Sequence, residues 1–186
     1  MIRIFYDLET TGTNHKLHSI HQISGIIEEN GYEVERFDLY MRPHPNALIE
    51  PEAMTLCRVT EEDIMLYPLM EETLLEFKKI LSFYIDKYDP KDKAHLLGFN
   101  NRAFDDKFLR KWFEICGDIF IGSWFWTDTI DVICLASEYL RPVRSEMPSF
   151  KLKRVAMQLG IEVDKEKLHD SMYDVELTRE IYKRIT

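Results

Sequence analysis

Cysteine is scarce, long apolar runs are missing and positive charge is not in surplus; each lack excludes a class of protein. The three cysteines, Cys57, Cys116 and Cys134, are far apart and odd in number. They encode neither a disulfide framework nor a CxxC-type metal site, and are expected to be reduced core thiols. The most apolar stretch, Ile119 to Leu140, is interrupted by Asp128 and Asp131, and no segment approaches a bilayer span. Arg3 and Asp7 interrupt the N-terminus where a signal peptide would be apolar, so no leader is read there. A cytoplasmic chain with no membrane partner is expected. Against 24 Lys and Arg stand 33 Asp and Glu, a net charge of −9. Taken alone, that argues against a coat for long nucleic acid built on counterion release.

What is present is enough for a core. With 186 residues and 45% hydrophobic content, one domain over residues 1–186 is the default. Ile20 to Met41 reads as a hairpin around Glu28-Glu29-Asn30-Gly31, since Asn-Gly is a strong two-residue turn. Pro43, Pro45 and Pro51 mark an irregular connection. Thr60-Glu61-Glu62-Asp63 resembles a helix N-cap, and Leu74, Phe77, Leu81 and Tyr84 recur at helical spacing from Met70 to Tyr84. A buried strand (His95 to Phe99), a helix from about Phe104 and a further strand into Trp126 follow. Three helical stretches, near Asp131 to Tyr139, Ser149 to Leu159 and Tyr173 to Arg184, complete the pattern. An antiparallel start followed by strands alternating with helices describes an α/β fold with a mixed sheet.

Charge is placed oddly on this frame. The first strand runs through Ile4-Phe5-Tyr6 into Asp7-Leu8-Glu9-Thr10-Thr11-Gly12. Strand side chains alternate, so Asp7 and Glu9 share a face with Arg3 and Phe5, while Ile4, Tyr6 and Leu8 take the other. Two acids side by side repel, and a bound cation is the obvious offset. Asp105, in Asn100-Asn101-Arg102-Ala103-Phe104-Asp105, falls outside the carboxyl end of a strand, where α/β sheets keep their sites. Asp174 falls in the first turn of the last helix, with Leu177 and Ile181 on its buried stripe and His169 in the preceding loop. Each piece alone has an ordinary reading: a solvated strand face, a helix cap, an exposed loop histidine. Their order and contexts together are much more specific.

At these residues the chain resembles the DEDDh (DnaQ-like) 3′-to-5′ exonucleases on a ribonuclease-H-like fold. Asp7 to Gly12 is similar to the first motif, Asn101 to Asp105 with Phe108-Leu109 to the second, and His169 with Asp174 to the third. Asp170 stands where the tyrosine subclass would have Tyr, so the histidine subclass fits. Two departures stand out: Asn100-Asn101 where relatives often have His-Asn, and Cys57-Arg58-Val59-Thr60 where they often have a His-Gly-Ile-Thr box.

The resemblance implies a mixed sheet with three antiparallel strands, then parallel ones, flanked by helices. It also implies release of 5′-mononucleotides from a nucleic-acid 3′ end, with a DNA polymerase as a further partner. The chemistry agrees: two Mg2+ or Mn2+ ions can stabilise both the attacking and leaving oxygens, and such ions want carboxylates. Asp7 would bridge, Glu9 and Asp174 would share one ion, and Asp105 would hold the other through water. His169 would take the proton from the attacking water. The backbone of Thr10, Thr11 and Gly12 would border the terminal nucleotide, with Asn101 near the scissile phosphate. Lys107, Arg110 and Lys111, and separately Lys151, Lys153 and Arg154, could steer phosphates, though helix solubility accounts for any single lysine. Of Trp124-Phe125-Trp126, all but Trp124 are expected in the core. His15, His18 and His21 lack a second ligand set for zinc and read as a polar loop beside the site. The alternatives are an exoribonuclease or oligoribonuclease, a non-catalytic polymerase-docking module, and a ligand-binding α/β domain whose acids are surface features.

Overall fold

A computed structural model describes residues 1–164, 166–167 and 169–186. The sheet has five strands: β1 (Ile2–Thr10), β2 (Ile20–Glu29), β3 (Tyr32–Tyr40), β4 (His95–Gly98) and β5 (Ile130–Asp131). Their order is β3-β2-β1-β4-β5; β1, β2 and β3 pair antiparallel, and β1-β4 and β4-β5 pair parallel. The hairpin closes at Asn30 and Gly31, both at positive φ (52° and 88°), as an Asn-Gly turn favours.

Seven α-helices are described: α1 (Pro51–Cys57), α2 (Glu61–Met65), α3 (Met70–Leu81), α4 (Asp105–Ile115), α5 (Val132–Tyr139), α6 (Leu152–Gln158) and α7 (Ser171–Ile185). Thr60 closes a capping box with Asp63 at the start of α2. The alternation of β1 divides the core. Ile4, Tyr6 and Leu8 pack with Phe77 of α3 and Phe108 and Trp112 of α4 on one face. Phe5 packs with Ile26, Leu97 and Val175 of α7 on the other. A third apolar cluster joins α5, α6 and α7 through Val132, Val155 and Ile181.

Four expectations need correction. Pro51 opens α1 instead of belonging to an irregular connection, because proline's missing N–H costs nothing at a first helical position. The strand expected to run into Trp126 is reduced to one bridge, Ala94 to Phe125, and the pairing beside β4 is made by Ile130 and Asp131. Trp124, expected outside the core, is buried with Phe125, whereas Trp126 is only half-buried and stacks on His95. The turn Ile121–Ser123 swings Trp124 inward. Of the cysteines expected in the core, Cys134 is exposed and Cys57 and Cys116 are half-buried.

Candidate active site

The site is built where β1 outruns its parallel neighbour. The β1-β4 pairing is recorded only as far as Phe5 opposite Leu97, so Asp7 to Glu9 extend past it. The Leu8 backbone there lies close enough to Asp105, at the start of α4, to favour its carboxylate. From the other side, the Ser171 hydroxyl at the start of α7 donates to the Asp7 carbonyl at 3.3 Å. One strand end and two helix starts therefore carry Asp7, Glu9, Asp105 and Asp174 into one cleft. Helix N-termini tolerate carboxylates because their dipoles offset part of the charge.

Among the described residues no lysine or arginine forms an ion pair with these acids. Burial, then Asp105, Glu9 and Asp174 in turn, push the Asp7 carboxyl well above its ordinary range. Burial is also the chief cause that lifts Glu9 to about 7, with Asp174 and Asp170 adding repulsion. Asp105 is lifted to about 8, by burial and then by Asp106, and Asp174 to about 7, by burial and then by Asp170. Desolvation and like charge both favour the neutral acid, and only an added positive charge would restore the anions.

Among the described residues no group of three His, Cys, Asp or Glu side chains is already arranged to hold a metal ion. Two local features bear on whether the acids fit a cation. Oε2 of Glu9 accepts from the Cys57 thiol at 3.0 Å. Oδ1 of Asp174 is buried without any hydrogen-bond partner. An orphaned carboxylate oxygen in a cleft of four hard oxygen donors fits a hard divalent cation, and the thiol contact is weak enough to be displaced.

His169 sits just before α7 with a left-handed backbone (φ 66°) that turns the chain into the helix. Its backbone lies close enough to Asp174 to favour that carboxylate. Partial burial, then Arg58, Lys151 and Lys153, pull its imidazole below the ordinary histidine value. A neutral imidazole can accept a proton, and the charged neighbours acting on this one are Arg58, Lys151 and Lys153.

The loop after β1 is tightly framed. Thr11 is fully buried, with its N–H donated to Ser19, its carbonyl accepting from Glu50 and its hydroxyl donated to Leu48. The Thr10 hydroxyl donates to the Gly12 carbonyl at 2.8 Å. Gly12 lies so close over the His18 ring that a Cβ would meet it at 2.7 Å. His18 in turn pairs with Glu50 at 3.2 Å, and His21 is buried in β2, its pKa lowered to about 4 by desolvation. Of the three histidines read as a polar loop, two are thus structural and interior.

Asn101, expected near the scissile phosphate, is fully buried, and its amide donates to Asp106 at 3.1 Å. Asp106 also accepts from Tyr6 at 2.5 Å and from Thr129 at 2.6 Å. This network ties β1 and the segment before β5 to the first turn of α4, below Asp105. Sequence reasoning missed Asp106 and Cys57; the doubled Asp105-Asp106 and the departure at Cys57 from the family box were the available signals.

The sequence profile of the RNase_T exonuclease family matches residues 4–182. The chain is similar to the zinc-bound form of the Escherichia coli exonuclease I–single-stranded DNA complex: TM-score 0.79, 24% identity, covering 99% of this chain and 40% of that one. It is similar also to E. coli exonuclease I in complex with a dT13 oligonucleotide, with TM-score 0.76, 25% identity and coverages of 98% and 40%. Among curated proteins, the PolC-type DNA polymerase III of Staphylococcus aureus is 26% identical over 179 residues. That alignment takes in 96% of this chain and 11% of the polymerase. The chain thus spans well under half the length of the proteins it resembles.

Proposed function

The chain belongs to the RNase_T exonuclease family, and from that premise we propose that it is a metal-dependent 3′-to-5′ exonuclease acting as one domain on single-stranded DNA ends. The observation that carries this reading is the unpaired acid cleft: four carboxylates from one strand end and two helix starts, raised by burial and mutual repulsion. Asp7, Glu9, Asp105 and Asp174 would hold two Mg2+ or Mn2+ ions, which supply charge stabilisation for the oxygens entering and leaving phosphorus.

The chain's own residues do the rest. His169, held neutral by its surroundings, takes the proton from the attacking water. Thr11 and His18 hold the loop whose Thr10 and Gly12 border the terminal nucleotide. Asn101 acts from beneath the site by fixing Asp106 and the first turn of α4. Single-stranded DNA is favoured because the exonuclease I structures hold it. The PolC likeness supports a polymerase as a further partner. Among the described residues no helix is long and apolar enough to cross a membrane.

The test is digestion of end-labelled single-stranded DNA, duplex DNA and RNA side by side with Mg2+ or Mn2+. Stepwise 5′-mononucleotides from the 3′ end, fastest on single-stranded DNA, are expected. Cuts within a circular single strand would defeat the exonuclease reading, and preference for RNA would move the substrate to exoribonuclease.

A further inference from the structure

Along α4, the helix that starts at Asp105, lies an open groove of about 390 Å³ whose charge runs against that of the molecule. It is lined by His15 and Lys16 from the loop after β1 and by Lys107, Arg110, Lys111 and Glu114 from α4. The α4 members recur at helical spacing, so they share one face, opposite the buried Phe108, Leu109, Trp112 and Phe113. His15 completes the wall, its ring set edge-on to Phe108 with centroids 6.2 Å apart. The one acid is already engaged, with Lys111 and Glu114 at 3.4 Å. Among the described residues Lys16, Lys107 and Arg110 form no ion pair. Three uncommitted cations in one groove of a chain of net charge −9 are not ordinary surface dressing.

We propose that this groove holds the phosphate backbone of a single nucleic-acid strand, leading away from the 3′ end bound at the acids. Lys107 stands in the same first turn of α4 as Asp105 but on its outer face, so the groove runs along the outside of the helix whose start carries one of the acids. From Lys107 to Glu114 it follows α4 for about 10 Å, since an α-helix rises about 1.5 Å per residue. That is about three steps of a stacked strand at about 3.4 Å each. Its lining is cationic rather than aromatic, so it grips charge and is indifferent to base sequence. It also answers the net-charge objection: the acids face the metal-held terminus while the strand behind meets cations. This inference rests on the nuclease reading but is tested through binding alone.

The experiment is fluorescence anisotropy of a labelled single-stranded oligonucleotide across a salt titration in chelator, with the parent chain, Lys107→Gln/Arg110→Gln, and the charge-matched Lys79→Gln/Lys91→Gln. Each lost phosphate contact should lower the slope of log affinity against log salt by about 0.7. The groove variant should show that loss for both cations, and the control should keep the parent's slope. Equal slopes in all three proteins, an equal loss in the control, or no binding by the parent at low salt would overturn the groove. So would polyglutamate competing as well as the oligonucleotide at equal charge, since that would mark an acidic peptide as the occupant. A parent that binds with the expected slope but releases no nucleotide with Mg2+ or Mn2+ leaves the groove standing and sinks the function proposed above.

Discussion

Two clusters of charge are built from the sheet and α7, and they are satisfied in opposite ways. On the hairpin side, buried Glu28 is met by Arg179 at 2.6 Å and Lys183 at 3.3 Å. Glu33 is met by Arg179 at 2.7 Å and by Arg36, which reaches across to Glu176. The hydrogen bond from Arg36 is the largest cause holding Glu33 below the usual carboxylate range. In the cleft, Asp7, Glu9, Asp105 and Asp174 face one another, among the described residues no arginine or lysine is paired to them, and every one is pushed upward. Matched charge ties α7 to the hairpin. Unmatched charge in a desolvated cleft is kept at a cost in stability and is what the active site proposed above requires.

The sharpest way to break the contrast is Asp7→Asn, which keeps the shape and removes a charge. Cleavage of single-stranded DNA should drop to background while the fold survives, as read by melting. A variant that retains activity would make the cleft as structural as the hairpin network.

Next in size is His169→Ala, expected to slow cleavage by about 10²–10⁴-fold, the usual span for losing a general base. The metal-induced melting shift should be nearly intact. Because the imidazole is held below its ordinary value, the parent's acid limb from this group should fall below about pH 6.5. An unchanged rate would remove His169 from the chemistry.

Arg179→Ala tests the matched side. Stranding buried Glu28 should cost about 3 kcal/mol, the low end for breaking a buried pair, since Lys183 remains near. At roughly 2–4 °C per kcal/mol, melting should fall by about 6–12 °C. The rate of the folded fraction should stay at the parent's value. Loss of activity without loss of stability would reverse the roles assigned to the two clusters.

A subtler outcome concerns pH. The cleft acids have folded values raised to about 7 to 8, against about 4 in the unfolded chain. Between those values the folded state binds more protons, so stability in chelator should decline as pH rises from about 4 to 8. Saturating Mn2+ should oppose the decline, adding about 2.7 kcal/mol at a hundredfold excess over Kd. Metal-free Asp7→Asn should be at least as stable as the parent at the upper end and nearly blind to Mn2+. A parent whose melting rises over that pH range in chelator would contradict the repulsion argued here.

Much of this was legible in the chain because it depends on local repeats. The period of β1 put Asp7 and Glu9 on one face, the Asn30-Gly31 turn closed the hairpin, and apolar spacing laid out α3 and α7. The motif order brought out the acids and His169 as one candidate set. What sequence could not show are contacts whose partners lie far apart: Cys57 on Glu9, 48 residues away; Tyr6 on Asp106, 100 away; Ser171 on Asp7, 164 away. No period or propensity encodes such meetings. They depend on how far β1 outruns β4, on the turn that buries Trp124, and on α4 lying against the loop that carries His15 and Lys16. Taken singly, the lysines of α4 read as helix solubility; folded against that loop, they line a groove. Side-chain type and spacing are written in the chain, but whether a charge ends up matched is a property of distance, and only the folded chain sets distances.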